Sequence, residues 1–478
     1  MKGVLYYGLT LLGRRGVHLA ILVAGVCGIW MLGTGVFGVS EARAQSLSDA
    51  LMAAYRNNPT LLARRARVRA KDEGVPQALS NWRPDVSFTA SNTISKVKNT
   101  RNTGTNIDQT RHPLSLGIDI TQPLFRGGRT LAATEGAENT IRSERALLMD
   151  TEQTVLLDGV TAYMDTFRDQ SVLKLNINNE EVLKRQLEAT RDRFQVGEIT
   201  RTDVHQAEAR LATAVADRIQ AEGNLEASRA AYENVIGEPP VAKLSPPDIQ
   251  TTLPTDKVEV VKIASSRNPK VVSAEFTRRA ALDQADEVWG ELLPTLDLTG
   301  TWDRNYQTGG ESGFTRTVAV GLSLKVPIYQ QGQVYSRLRE ARQTAAEQAL
   351  LIDQQRRDAV ESATQAWEAL LTAQARVKAF RTGIEANVVA LEGVEKEASV
   401  GSRTVLDVLD AEQELLNSRV SHVRAQRDDV VAVYRVLSSI GRLTVRDLSL
   451  SGDAYDPRQH YREVRGKAFG GRSKGDHN

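Results

Sequence analysis

The chain alternates between short segments in which every second residue is apolar and long segments in which apolar residues recur at helical spacing. Four short segments show the period of two, and their apolar residues are Val86, Phe88 and Ala90; Leu114, Leu116, Ile118 and Ile120; Leu296 and Leu298; and Val318, Val320, Leu322, Leu324 and Val326. The alternation predicts four half-buried strands in two β-hairpins, at about residues 85–125 and 295–329. Strands of about ten residues are long enough to cross a membrane at a tilt.

Two segments without an internal proline, residues 127–196 and 332–400, predict very long helices. At a rise of 1.5 Å per residue, each would be about 100 Å long. Shorter helices are predicted before and after them, at about residues 46–80, 203–236, 257–290 and 404–440. Apolar residues at near-heptad spacing in the last of these predict coiled-coil packing.

The second half of the chain repeats the first. Equivalent residues are Pro59 and Pro269, Pro84 and Pro294, Pro123 and Pro327, and Gly197 and Gly401. The first two pairs are 210 residues apart and the last two are 204 apart, so the second copy is shorter between its strands. Such periodicity marks an internal tandem duplication. We predict one repeat over residues 45–245, another over residues 246–445, and a flexible, basic C-terminal tail over residues 446–478.

The first 44 residues have the pattern of a secretory signal peptide. Arg14 and Arg15 precede an apolar run over residues 19–39, and the segment 42–44, Ala-Arg-Ala, resembles a cleavage site. The alternative is an uncleaved membrane anchor, because the run is long enough to span a bilayer. We predict cleavage, since several glycines interrupt the run and a cleavage site follows it.

The charge of the mature chain argues against a nucleic-acid partner. Without Lys2, Arg14, Arg15, Arg43 and Glu41, the 61 basic and 59 acidic residues become 57 and 58. A nearly neutral chain lacks the excess of basic residues that binding to phosphates requires.

Membrane insertion would have to use strands, because no apolar run after the signal approaches the ~20 residues of a spanning helix. Four strands cannot close a barrel by themselves, since single-chain barrels have at least about eight and lipid does not tolerate open edges. The predicted fold is therefore a trimeric, twelve-stranded transmembrane β-barrel with four strands per chain, continued by a long α-helical coiled-coil barrel. A soluble β-sandwich edge is the alternative, in which the aromatic residues in and beside the strands, such as Phe88 and Trp302, would belong to an ordinary core. The connections between paired strands, residues 99–111 and 307–315, are predicted to be exposed loops.

No group of residues in the sequence suggests catalysis. The one cysteine, Cys27, lies in the signal, the histidines lack metal-ligand spacing, and there is no Walker-type phosphate loop. We predict that the protein is not an enzyme and holds no cofactor or metal.

Two motifs, one in each repeat, carry a family resemblance. They are VGEITRTDVHQAEARL from Val196 and VGSRTVLDVLDAEQEL from Val400, accompanied by the strand-to-helix junctions PLFRGGR and PIYQQGQ. Together with the duplication and the signal, they make the chain resemble the TolC family of outer-membrane efflux and type I secretion proteins over most of residues 46–445. The resemblance implies a homotrimer in outer-membrane lipid with its helical domain in the periplasm. It also implies a periplasmic adaptor, an inner-membrane transporter of the ABC or RND type, and no chemistry in the duct.

The turns after the long helices are candidates for a functional tip. Gly197 and Gly401 stand where each long helix meets a shorter one, a position that favours a left-handed residue. We predict that both turns lie at the periplasmic end and dock the adaptor, with Val196 and Val400 exposed beside the glycines. The alternative is that these residues only form turns.

The residues just after the turns are candidates for helix caps and for a latch. Thr202 or Asp203, and Thr404, are placed to cap the shorter helices. The resemblance implies a polar latch that closes the tip, formed by an Asp of the first turn and by an Arg and a Tyr of the second. Thr202, Asp203 and Arg403 stand at the matching positions, and Ala398 stands at the position of the Tyr. The alternative is that Asp203 only caps its helix and Arg403 is solvated.

Asp407 and Asp410 share one helix face, because they are three residues apart. A solvated outer pair is the commoner result of such spacing. The resemblance implies instead that the pair faces the lumen and that three copies form a cation-binding constriction.

These observations predict the outer-membrane exit duct of a tripartite efflux pump or type I secretion system, a passive channel opened at its periplasmic tip by its partners. A periplasmic coiled-coil adaptor or structural protein is the alternative, and a periplasmic enzyme comes third. The sequence identifies neither the cargo nor the transporter.

Overall fold

The computed structural model describes residues 45–100, 106–247, 252–306, 313–450, 452 and 454–471, and the predicted signal lies outside them. The elements of the first repeat are α1 Leu47–Asn57, α2 Pro59–Asp72, α3 Gly74–Ser80, β1 Asp85–Asn92, β2 Ser95–Thr100, β3 Asn106–Arg111, β4 Leu114–Arg126, α4 Arg129–Gln195 and α5 Arg201–Ile236. Those of the second repeat are α6 Lys257–Arg267, α7 Pro269–Gly290, β5 Thr295–Tyr306, β6 Phe314–Lys325, α8 Gln333–Ser399 and α9 Val405–Ser439, and α10 Gln459–Val464 follows.

The helical segments that precede the hairpins are divided, where the sequence predicted single helices. Asn58 ends α1 and caps α2, accepting hydrogen bonds from the next backbone N–H groups, and Asn268 does the same between α6 and α7. The following prolines, Pro59 and Pro269, take the first helical position, where a missing N–H costs nothing. A second break, at Glu73, separates α2 from α3.

The four long strands form one antiparallel sheet in the order β1-β4-β5-β6. Thr121 of β4 pairs with Asp85 of β1 on one side and with Thr299 of β5 on the other. Thr295 of β5 pairs with Lys325 of β6. Strands β1 and β6 are therefore the edges of the sheet, and every residue of both is exposed.

The prediction of a loop at residues 99–111 is wrong, because β2 and β3 form a second small antiparallel sheet there. Lys98 lies directly opposite Asp108, and both Lys96 and Lys98 place their ammonium groups 3.8 Å from its carboxylate. Cross-strand pairs of opposite charge favour such a polar hairpin, which the apolar pattern did not reveal. Most of the other predicted loop, at residues 307–315, lies outside the described residues.

The helices continue the sheet as a single layer. Helix α4 packs on α5, α7 and α9, and α8 packs on α7 and α9. In the part of the layer next to the sheet, the helices follow the order α3, α4, α7, α8. In the part further from the sheet, the order is α5, α4, α9, α8. Helices α4 and α8 contain 67 residues each, so each is about 100 Å long. No helix in the described ranges is both long and apolar enough to cross a membrane.

The largest buried cluster lies where α1, α4, α5 and α9 meet. Leu51, Leu156, Tyr163, Tyr232 and Leu443 are among its fully buried side chains. The hydroxyl of Tyr163 lies 2.9 Å from the carbonyl oxygen of Gln45 and 2.7 Å from that of Ser245. These contacts hold the start of the first repeat against the segment that leads to the second.

The prediction of a flexible C-terminal tail is wrong for residues 454–471, which pack against the first repeat. His460 of α10 places Nδ1 3.2 Å from the carboxylate of Asp72, which is fully buried and also pairs with Arg145 at 3.2 Å. Tyr461 donates a hydrogen bond of 3.1 Å to Glu138 of α4. A buried carboxylate needs such partners, and the basic tail supplies one of them. Residues 472–478 lie outside the described part of the chain.

Candidate functional site

The turns between α4 and α5 and between α8 and α9, here called the tip, have the same backbone geometry. Gly197 and Gly401 adopt left-handed φ angles of 81° and 79°. The N–H of Glu198 binds the carbonyl of Arg193 at 3.0 Å, and that of Ser402 binds the carbonyl of Glu397 at 3.0 Å. This hydrogen bond satisfies a carbonyl that the helix end leaves free, and a glycine fits the left-handed position without strain.

Each tip turn presents a valine to solvent. Val196 and Val400 directly precede the two glycines and are 73% and 79% exposed. These two valines are the apolar side chains that the tip turns expose beside their glycines.

The helices that leave the tip begin with matching capping boxes. Thr200 caps α5 and Thr404 caps α9. Asp203 accepts hydrogen bonds from the N–H of Thr200 at 2.9 Å and from its hydroxyl at 2.8 Å. Asp407 accepts the same two bonds from Thr404, also at 2.9 and 2.8 Å. The expectation that Thr202 or Asp203 occupies the N-cap position is therefore wrong, because the cap lies at Thr200 and Asp203 closes the box three residues later.

The hydrogen bonds from Thr404 hold the pKa of Asp407 below its usual range, with a smaller effect from the nearby Arg403. Asp407 is therefore ionised across the physiological pH range and contributes a permanent negative charge.

Within one chain, the residues of the predicted latch do not contact each other. Thr202 is exposed in the first turn of α5, and Asp203 is engaged by Thr200. Arg403 donates from Nε to the carboxylate of Glu397 at 2.9 Å.

The two aspartates of the predicted constriction have different environments. Asp407 is partly buried in its capping box, whereas Asp410 is exposed and pairs with Arg210 of α5. Sequence reasoning missed Arg210, because nothing in the motifs relates it to a residue 200 positions away. The pair links the two halves of the tip and reduces the negative charge that Asp410 contributes.

Next to the turns, on the side towards the sheet, a small apolar cluster joins α4, α5 and α9. Its buried members are Leu183, Leu187, Val204, Ala207, Ala214, Val405 and Leu409. The cluster fixes the start of α5 beside the start of α9, so the two capping boxes are set on one packed unit.

Glu412 is a second residue that sequence reasoning missed. It lines a cavity of about 80 Å³ between α4, α8 and α9, together with Asn179 and Arg419. Its Oε2 atom is buried and has no hydrogen-bond partner among the described residues. Burial, and secondarily the negative charge of Glu395 on α8, raises the pKa of Glu412 to about 7.

We expect the stability of this helical region to fall as the pH rises. The folded chain keeps the Glu412 proton up to about pH 7, whereas the unfolded chain loses it near 4.5. Between these values only the folded state holds the proton, so raising the pH removes stability until both states are ionised. Thermal unfolding followed by circular dichroism from pH 5 to pH 8.5 should show this decline, and Glu412→Gln should weaken it.

The matched control is Glu395→Gln, which removes the nearby negative charge but keeps the buried carboxyl. The stability of this variant should still decline as the pH rises, but the decline should occur at lower pH. An identical pH dependence in the wild type and in Glu412→Gln would contradict the assignment.

The part of the chain that the structure describes contains no group of three or more His, Cys, Asp and Glu side chains arranged to hold a metal ion. The features of the tip are instead repeated turns, charges and exposed valines at the end of paired helices.

Comparison with known proteins identifies the family. The sequence profile described as outer membrane efflux protein matches residues 50–238 and 260–442, one block in each repeat. The chain belongs to this family. Outer membrane efflux protein BepC of Brucella suis biovar 1 is 34% identical over 445 residues, covering 92% of this chain and 95% of that protein. Outer membrane protein TolC of Escherichia coli is 27% identical over 433 residues, covering 87% of each.

Solved channels of this family share the fold. The outer-membrane channel OprN superposes with a TM-score of 0.72 at 24% identity, covering 83% of this chain and 89% of that chain. VceC from Vibrio cholerae superposes with a TM-score of 0.71 at 20% identity, covering 83% and 96%.

Family membership confirms the predicted function, an outer-membrane exit duct for efflux or type I secretion that acts as a passive channel. It confirms the outer-membrane location with a periplasmic helical domain, and it decides against the alternatives of a periplasmic adaptor and an enzyme.

Proposed function

We propose that three copies of this chain form a twelve-stranded transmembrane barrel continued by a helical tunnel, closed at the tip until partners open it. The observation that carries this proposal is the four-stranded sheet with β1 and β6 as unpaired edges. Unpaired backbone groups in lipid cost several kcal/mol each. A closed ring of sheets from several chains removes both edges, and three copies supply an even number of strands within the usual range.

Exposed apolar side chains on the edge strands support insertion into outer-membrane lipid. Val318, Val320, Leu322 and Leu324 of β6 are all at least 65% exposed, as is Phe88 of β1. They follow the alternate positions that face lipid in transmembrane barrels.

The helical layer also has two free edges, α5 and α8. Val389 of α8 is 69% exposed, and Ile219 of α5 is 55% exposed. Packing α8 of one copy on α5 of the next would cover these residues and close the layer into a tunnel.

The tip is proposed to dock a periplasmic adaptor and, through it, an inner-membrane transporter of the ABC or RND type. Support comes from the exposed Val196 and Val400 beside Gly197 and Gly401, at the end of the helices. Two relatives are named for protein export: the proteases secretion protein PrtF of Dickeya chrysanthemi and the alkaline protease secretion protein AprF of Pseudomonas aeruginosa.

A bulky residue at the tip should abolish export without preventing assembly. Gly401 has no atom within 4 Å of an added Cβ, so Gly401→Phe meets only the strain of its left-handed backbone. We expect a deletion strain complemented with this variant to lose export, assayed as secreted protein and as resistance to a panel of toxic compounds. Heat-sensitive trimers should still appear in outer-membrane fractions.

Two controls separate docking from strain and from bulk. Gly401→Asn accepts the left-handed backbone with a small side chain and should retain export. Gly466→Phe places the same bulk at an exposed glycine after α10, away from both tip turns, where space is also open. Normal export from Gly401→Phe would refute docking at this turn, and a wild-type protein that stays monomeric in the membrane would refute the assembly.

A further inference from the structure

The two repeats keep their sequence offsets in three dimensions, strand by strand. Adding 210 to β1 and 204 to β4 converts the pair Asp85 and Thr121 into Thr295 and Lys325. The structure forms this pair between β5 and β6. The two hairpins therefore have the same register, although their connections differ in length.

Within the sheet, the contact between the repeats of one chain is the pairing of β4 with β5. It joins the second strand of the first hairpin to the first strand of the second, with Thr121 opposite Thr299 and Ile120 opposite Gly300. In a closed ring, the second strand of the second hairpin, β6, meets the first strand of the next copy's first hairpin, β1. The junction between copies is thus the counterpart of the β4–β5 junction.

Applying the same offsets to the residue pairs between β4 and β5 gives the equivalent pairs between β6 of one copy and β1 of the next. Thr121 and Ile120 become Lys325 and Leu324, whereas Thr299 and Gly300 become Thr89 and Ala90. We propose that β6 of one protomer pairs with β1 of the next, with Lys325 opposite Thr89 and Leu324 opposite Ala90. This inference rests on the proposed trimer and specifies how its copies join.

The side-chain pattern supports this register independently. The large apolar residues on β6 have even numbers, among them Leu322 and Leu324, as does Val326 just after the strand, and so do Phe88 and Ala90 on β1. The proposed register places Val326 opposite Phe88 and Leu324 opposite Ala90, so these apolar residues lie on one face of the junction and Lys325 and Thr89 lie on the other. A shift by one residue would place apolar residues of one strand on the polar face of the other.

The equivalence between the junction within a chain and the junction between copies must end where the strands meet the helices. A Cβ added to Gly127 would overlap the carbonyl oxygen of Gly290, and a Cβ added to Gly290 would overlap that of Gly127. Their counterparts at the junction between copies are Gln331 and Ser80, which both carry a Cβ. The junction between copies is therefore wider there than the junction within a chain, and the proposed register applies to the strands alone.

Cysteine pairs test the register directly, because the only cysteine of the chain, Cys27, lies in the predicted signal. Ala90→Cys with Leu324→Cys should form disulfides between copies in the purified protein treated with copper phenanthroline, giving linked dimers and trimers on non-reducing gels. Thr89→Cys with Lys325→Cys should do so as well. Because the two pairs are adjacent, one is a hydrogen-bonded pair of the antiparallel ladder and the other is a non-hydrogen-bonded pair. Within one chain, β4 and β5 separate these strands by about 14 Å, too far for a disulfide.

The matched controls shift the register by two residues on the same face. Ala90→Cys with Leu322→Cys, and Ala90→Cys with Val326→Cys, should crosslink at least fivefold less than the proposed pair. A stronger product from either control would overturn the register. Wild-type trimers seen by native mass spectrometry, together with no crosslink in either proposed pair, would overturn the register while leaving the proposed assembly intact. A wild-type monomer would refute the assembly itself.

Discussion

Replacing Asp407 and Asp410 with alanine should reverse the ion selectivity of the assembled channel and abolish its block by trivalent cations. In each protomer, the proposed constriction holds two carboxylates and one guanidinium, because Asp410 pairs with Arg210. The net charge per protomer is therefore one negative, and removing both carboxylates leaves one positive. A narrow bore of low dielectric amplifies such a change in ion concentration, by about tenfold or more.

Reversal potentials in planar bilayers under a potassium chloride gradient measure the effect. The wild type should prefer cations, and the double variant should prefer anions. Arg210→Ala is the informative control, because it removes the partner of Asp410 and should raise cation preference above the wild-type level. Asp407→Asn keeps an oxygen that accepts the Thr404 hydrogen bonds, so it separates loss of charge from loss of the cap. Unchanged trivalent block in the double variant would place the constriction elsewhere.

Loss of the proposed latch should open the channel more often. Within one chain, Asp203 is bound by Thr200 and Arg403 by Glu397. We propose that the latch joins Arg403 of one copy to Asp203 of another, in competition with Glu397 of its own chain. Charge-assisted hydrogen bonds repeated by symmetry in three copies bias a closed-to-open equilibrium strongly. We expect Asp203→Ala and Arg403→Ser each to raise the open probability roughly fivefold or more in single-channel recordings.

Three further variants sharpen this test. The double variant should add little to either single one, because both break one contact. Glu397→Gln frees Arg403 and should close the channel more firmly. Ala398→Tyr places a hydroxyl at the position where the TolC resemblance implies one, and it should also lower the open probability. If both single variants conduct like the wild type while remaining trimeric, apolar packing of the tip, as in the cluster of Leu187, Val204 and Leu409, closes the channel without a latch.

Local features of the fold could be predicted from the sequence because they depend on neighbouring residues. Alternation of apolar residues specified the four long strands, and the absence of proline specified α4 and α8. Gly197 and Gly401 marked the two tip turns, since few residues other than glycine accept a left-handed backbone. The breaks at Asn58-Pro59 and Asn268-Pro269 carried an equally local signal, which the apolar pattern alone overlooked.

Contacts between distant residues were decided only by the tertiary structure. The pair of Arg210 and Asp410, the burial of Glu412 and the docking of His460 on Asp72 join segments far apart in the chain. No periodicity encodes such contacts, because the burial of a charge depends on which helices pack around it. The duplicated sequence determined the repeat offsets and the family motifs by itself. Only the folded sheet showed that the hairpins keep these offsets and that β1 and β6 are left unpaired, since backbone pairing between distant strands follows from packing and not from local preference.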